Sequence, residues 1–153
     1  MKKAIVILIA LSFGNIGFAQ KVKEGEVPAD VKASFSTIFR NTPVEKWKKE
    51  DGNYLAEFMK AGSEVVVTLD PNGIWLQTKT HIAIKALPQP AADYASKNYA
   101  SKEITDAYRI DHSTGEITYI ADLKDLLLYF NSDGVFIKSG KEKQIGKATS
   151  SSR

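Results

Sequence analysis

The chain has 153 residues and no cysteine, which excludes disulfides, thiolate zinc sites and a lipid-modified cysteine anchor. Its 43% hydrophobic and 25% charged content describes a chain that folds. The formal charge of +3 is unevenly placed: residues 20–138 hold 15 basic and 17 acidic residues, while 139–153 carry Lys141, Lys143, Lys147 and Arg153 against Glu142, so no nucleic-acid footprint is expected.

The first predicted element is a leader. Lys2 and Lys3 form a positive start, Ala4 to Phe13 is apolar apart from Ser12, and Gly17-Phe18-Ala19 places small residues at the −3 and −1 positions. Residues 1–19 therefore read as a signal peptide cleaved before Gln20. The apolar stretch is short for a span of ~30 Å of hydrocarbon, and no later segment is longer. The expected location is periplasmic or secreted, with no membrane span after cleavage.

Beyond Gln20 the chain repeats itself with a period near 60 residues. Val27-Pro28-Ala29-Asp30 and Leu87-Pro88-Gln89-Pro90 each open a helix, since proline suits the first helical turn. Val31, Phe35, Ile38 and Phe39 fall on one helical face; Tyr94, Tyr99, Ala91, Ala95 and Ala100 make a weaker one. The period then changes to two. Residues 44–50, 54–61, 64–70 and 74–84 predict four strands, with Gly52, Gly62 and Gly73 in the turns. Residues 104–111, 116–122, 125–131 and 135–138 predict four more, with the junction Asp122-Leu123-Lys124-Asp125 lacking a glycine.

Leu69–Leu76 and Phe130–Ile137 align at an offset of 61, each around an Asn-Gly or Asp-Gly turn. The expected fold is α+β: two tandem repeats, 20–86 and 87–138, of one helix followed by a four-stranded antiparallel meander. The helices would pack on one face, the two units sharing a core, with 139–153 as a basic, disordered tail. Val65, Val67 and Leu69, and in the second unit Leu126, Leu128 and Phe130, should face the core, with Phe35 and Phe39 packed on the first set as buried aromatics.

The leader, the proline-started helix, Val44-Glu45-Lys46-Trp47, and the closing Gly73-Ile74-Trp75-Leu76 together resemble the PepSY-like, beta-lactamase-inhibitor-like family of exported Bacteroidetes-type proteins. The resemblance spans roughly residues 25–140 and rests on structural motifs. It implies tandem helix-plus-sheet repeats, a periplasmic non-enzymatic role and, by fold analogy, binding or inhibition of another protein.

No catalytic, cofactor or metal site is predicted, and no enzyme. His81 and His112 lie in no metal-ligand spacing. Asp111-His112-Ser113 contains triad residue types, but consecutive strand residues point to opposite faces, and Thr114-Gly115 marks a hairpin. Asp70-Pro71-Asn72-Gly73 and Asn131-Ser132-Asp133-Gly134 lack the later ligands of a calcium loop and read as turns. Lys46 and Lys48 fall on one face of their strand, Trp47 and Lys49 on the other.

Function is therefore sought on a surface. Helices can cover only one face of a sheet. Alternation places Leu55, Glu57 and Met59, then Glu64, Val66 and Thr68, then Ile120, Leu127 and Tyr129 on the other. The candidate partner-binding face is Leu55, Met59, Val66, Thr68, Ile120, Leu127 and Tyr129, with Tyr129 as anchor and an exported protein as partner. The second reading, from a different class, is a small-ligand or envelope-stress binding protein with a pocket between helix and sheet. A continuous apolar face favours the first reading; a charged face with an internal pocket favours the second.

Overall fold

The computed structural model describes residues 19–141; the expected leader up to residue 18 and the tail from residue 142 lie outside the described residues. Nine strands form one sheet in chain order: β1 Gln20–Val22, β2 Lys46–Glu50, β3 Asn53–Lys60, β4 Ser63–Leu69, β5 Trp75–Ile82, β6 Asp106–His112, β7 Ile117–Asp122, β8 Leu127–Phe130 and β9 Phe136–Gly140. Every neighbouring pair is antiparallel. Two ten-residue helices, α1 Ala29–Ile38 and α2 Gln89–Asn98, interrupt the meander.

This corrects the expected architecture. The molecule is a single nine-stranded antiparallel sheet with two helices, not two tandem helix-plus-four-strand repeats. The physical reason lies at the supposed boundary, where β5 and β6 pair continuously from Gln77↔His112 to Ile82↔Ala107. A strand that pairs on both sides belongs to no separate unit. The sequence reading also lacked β1, which adds to the edge through Val22↔Trp47, and two 3-10 turns at Glu24–Glu26 and Ile84–Ala86. Ser139 and Gly140, assigned to the tail, belong to β9.

The core is divided as well. One cluster joins Val31 and Phe35 of α1 to Trp47, Ala56, Phe58, Val65, Val67 and Leu69. The other joins Ala91 and Ala95 of α2 to Ala107, Ala121, Leu128 and Phe130. The expected shared core is replaced by these two clusters on one face of the sheet. Between them the register sets Thr78 opposite Asp111 and Thr80 opposite Arg109, a polar strip.

The α1 face is narrower than its periodicity suggests. The helix stops at Ile38, which is 47% exposed. Phe39 leaves helical geometry (φ −119°, ψ 71°), donates its N–H to the Phe35 carbonyl, and lays a half-buried ring on Phe35 and Phe58, with centroids 5.4 and 5.0 Å away. Phe35 itself is 3% exposed and is the buried aromatic of the pair. Leu128 and Phe130 are fully buried, with Leu126 partly buried beside them.

The loops 70–73 and 131–134 are, as expected, turns, and they seat the helices. One Asp70 carboxylate oxygen accepts the N–H groups of Asn72 and Ile74 at 2.9 and 2.8 Å, and the Asn131 side chain does the same for Asp133 and Val135 at 3.0 and 2.9 Å. Gly73 (φ +81°) then lies so close to α1 that a Cβ would stand 2.6 Å from the Asp30 carbonyl oxygen. At the glycine-free junction, Lys124 takes the left-handed conformation (φ 76°), its N–H held at 2.7 Å by the buried Asp122.

Two stability predictions follow from this packing. Phe35→Ala should lower the unfolding free energy by about 3–5 kcal/mol in urea titrations. Gly73→Ala should cost at least ~1 kcal/mol more than Gly62→Ala. Both positions pay the ~1–2 kcal/mol of left-handed backbone, but a Cβ at Gly62 (φ +79°) meets open space. Equal midpoints for the two alanine variants would show that α1 does not bear on the turn.

Candidate functional site: the open face of the sheet

With both helices on one side, the register fixes what the other side presents. Lys48, Leu55, Thr68, Gln77 and His112 form one row across the strands. Lys46, Glu57, Val66, Lys79, Ile110 and Thr118 form a second. His81, Tyr108, Ile120, Tyr129 and Lys138 form a third, with Met59 paired to Glu64 on β3 and β4. Leu127 lies beside Asp122.

All seven candidate residues thus lie on the open face, but they are not one patch. Leu55, Met59, Val66 and Thr68 belong to β3 and β4; a basin of about 450 Å³ opens over Leu55, Val66 and Thr68, lined also by Lys48, Glu57, Glu64, Gln77 and Lys79, and does not reach Met59. Its charges are partly neutralised within the face, because Glu57 is clamped between Lys46 at 3.5 Å and Lys48. Ile120 lies three strands beyond β4 on β7, and Leu127 and Tyr129 four strands beyond β4 on β8. Ile120 is 4% exposed and so serves as floor rather than contact. Met59, at 49%, is the most exposed apolar member.

The residues that join the two groups are those the sequence reading did not nominate: Lys79 and His81 on β5, Tyr108 and Ile110 on β6. Their signal is in the alternation of β6, where Asp106, Tyr108, Ile110 and His112 oppose Ala107, Arg109 and Asp111. It becomes readable only once β6 is known to pair with β5. Tyr108 and Tyr129 flank Ile120 directly. Lys79 places its ammonium 3.8 Å from the Tyr108 ring centroid, and Lys138 does so 5.1 Å from that of Tyr129. His81 reaches Asp106 at 3.1 Å, its ring 5.3 Å from that of Tyr108.

The remaining polar residues have structural partners. Asp111 lies on the helix face, where it accepts from Arg109 through both carboxylate oxygens, the shortest contact 2.6 Å; this bond holds the guanidinium pKa above its ordinary value. His112 meets Thr118 at 3.0 Å across the hairpin, and Ser113 sits in the turn with its N–H on the Leu76 carbonyl. Asp111, His112 and Ser113 therefore form no relay. Among the described residues no three His, Asp or Glu side chains come together as a metal site. No described helix is long and apolar enough to cross a membrane.

An antiparallel sheet layered on one side by two helices, its other side open, is a scaffold that offers a surface rather than a cleft. The chain belongs to the family described as "Putative beta-lactamase-inhibitor-like, PepSY-like", which it matches over residues 52–138. Solved structures share the architecture. A DUF2874 family protein from Bacteroides uniformis is 17% identical, with a TM-score of 0.64 over 74% of this chain and 88% of that one. A protein from Bacteroides eggerthii, described as "putative periplasmic proteins", is 12% identical, with a TM-score of 0.67 over 80% and 97%. A BLIP-like protein from Bacteroides fragilis is 20% identical, with a TM-score of 0.61 over 80% and 90%. At these identities the likeness is one of fold. No curated protein matches the chain in sequence.

The half-buried position of Tyr129 has a measurable consequence. Desolvation raises its phenol pKa above the ordinary value of about 10. The folded state then holds the proton more firmly than the unfolded chain does. The stabilisation is complete below the unfolded-state pKa and is lost as pH rises through the higher folded-state value. Ultraviolet titration of the phenols should therefore lose a late-titrating component in Tyr129→Phe, and the variant should lose less stability above pH ~10. An unchanged late component would place Tyr129 in water.

Proposed function

We propose that this protein is an exported, non-enzymatic binding module that recognises another exported protein through the open face of its sheet. One observation carries the reading: the helix face is filled by two apolar clusters, while the opposite face sets Tyr108 and Tyr129 around Ile120, with no helix packed over that row among the described residues. Tyrosine presents a large amphipathic surface at low entropic cost, and such residues centre many protein interfaces. The family's beta-lactamase-inhibitor-like description and the BLIP-like neighbour support protein binding as the class of activity. The neighbour described as periplasmic supports the location, with cleavage before Gln20 freeing a chain whose first strand begins there.

The pocket reading has less support. Between α1 and the sheet, Val31, Ala56, Val67 and Leu69 are wholly buried, and Phe35 packs edge-on against Trp47 and Phe58. That layer is filled by side chains. The basin over β2–β5 is on the open face, lined by charged and apolar groups together, as the border of a recognition surface would be.

The test uses the mature protein as bait in an extract of the source periplasm, beside a Tyr129→Lys, Val66→Asp variant whose fold is checked by circular dichroism. The wild type should capture a partner that the variant loses by at least about tenfold, the scale of one displaced anchor. Undiminished capture by the folded variant would sink the open-face reading. Mass spectrometry of the exported protein should show Gln20 as the first residue; an intact Met1 would sink the export reading.

A further inference from the structure

We propose that Asn72 is a modification site: its side-chain amide condenses with the Gly73 backbone nitrogen whenever α1 lifts from its seat, and the product no longer seats the helix. Asn72-Gly73 is the one Asn-Gly pair in the sequence. An asparagine is among the thermolabile residues, and a following glycine has no side chain to shield the next backbone nitrogen. The Gly73 nitrogen, its proton lost to base, bonds to Asn72 Cγ; the Cγ–Nδ2 bond breaks and ammonia leaves. Water then opens the five-membered imide at either carbonyl. One product is aspartate, the other a β-linked isoaspartate whose backbone is one carbon longer.

The electrophile is in the open, since Asn72 is exposed. What the fold controls is the nucleophile. Gly73 is buried, and its N–H donates to the Asp70 carbonyl at 3.0 Å. The Asp70 carboxylate accepts the N–H groups of Asn72 and Ile74 at 2.9 and 2.8 Å, and the Asn72 Nδ2 group at 3.4 Å. The Asp70 N–H closes the loop on the Ile74 carbonyl at 2.9 Å. Swinging Asn72 Cγ onto the Gly73 nitrogen breaks this set. The glycine has no room to turn while α1 stands against it, because a Cβ there would lie 2.6 Å from the Asp30 carbonyl oxygen and 2.7 Å from Ser34 Oγ. An anionic nitrogen would also form beside the Asp70 carboxylate, and like charge opposes it. The closed turn is therefore inert, and the rate follows the population of the opened one.

The products cannot rebuild the seat. Isoaspartate adds a backbone carbon where not even a Cβ fits. Aspartate keeps the backbone but sets a second carboxylate where the Asn72 amide had met Asp70. The turn at 131–134 shows the same two groups exchanged but not duplicated. There the amide of Asn131 accepts the N–H groups of Asp133 and Val135 at 3.0 and 2.9 Å, and the carboxylate sits at Asp133. Each turn carries one amide and one carboxylate.

The test holds the purified full chain in mildly alkaline buffer and maps its peptides at intervals by mass spectrometry with separation of the isoaspartate forms. Asn72 should convert while Asn41, Asn53, Asn98 and Asn131 stay intact. Phe35→Ala should speed conversion at Asn72 at least about tenfold by loosening α1, and Val31→Ala should act in the same direction where the larger deletion fails to fold. Asn72→Asp should lower the urea midpoint, and Asp70→Asn added to it should restore the midpoint by copying the second turn. Conversion at Asn72 no faster than at the other asparagines would overturn the site. Equal rates in the wild type and both helix variants would overturn the control by α1. A urea midpoint unchanged in Asn72→Asp and in aged protein that carries isoaspartate would overturn the loss of the seat.

Discussion

The pairing of β5 with β6 is the joint on which the molecule depends. On one side of it lies the α1 cluster, on the other the α2 cluster, and the joint's helix face carries Thr78, Thr80, Arg109 and Asp111, with Ile82 and Ala107 at one end in the α2 cluster. Along most of its length, apolar burial therefore does little to hold the two halves together. What does is a ladder of backbone hydrogen bonds from Gln77↔His112 to Ile82↔Ala107, reinforced by the His81–Asp106 contact at 3.1 Å. Each such bond contributes about 1 kcal/mol net, but breaking the ladder would strand donors and acceptors on both strands. The joint also fixes register, and a one-residue slip would turn Tyr108 and Ile110 onto the helix side.

The helices are positioned by a different device. They are short, and ten-residue helices are marginal alone. α1 is held by Val31 and Phe35 from below and by the turn at Gly73 from the end. α2 buries only the small Ala91 and Ala95 fully, so it approaches the sheet closely, and Tyr94 stacks on Phe136 at 4.5 Å. Gly134 meets it as Gly73 meets α1, a Cβ there lying 2.9 Å from Pro88. In the second half, proline at the helix start and glycine at the turn are two ends of one contact; in the first, the glycine meets the helix at Asp30 and Ser34.

The sequence revealed most where a single element decides the outcome. Alternation alone put Val65, Val67 and Leu69 inside and Leu55, Val66 and Thr68 outside, because the period of a strand needs no knowledge of its neighbours. Trp47 and Lys48 separated for the same reason. What required neighbours was not legible. β1 is three residues of mixed character, and only pairing with β2 makes it a strand. The repetition of residue patterns suggested repeated units, but a repeated pattern does not say where strand pairing stops, and here it does not stop. Alternation does not single out Tyr108 and His81, which meet across the joint, and it places Ile120 at the surface without showing that tyrosines from β6 and β8 flank it.

The same geometry resolves how a face rich in apolar groups can stand in water. The large apolar residues nearest its centre, Ile110 and Ile120, are 8% and 4% exposed, so the area shown to solvent is mostly tyrosine edge and lysine stem. Lys79 and Lys138 cover ring faces that would otherwise be bare. The lysine stems and ammonium groups thus put charge at the surface where aromatic ring would otherwise face water.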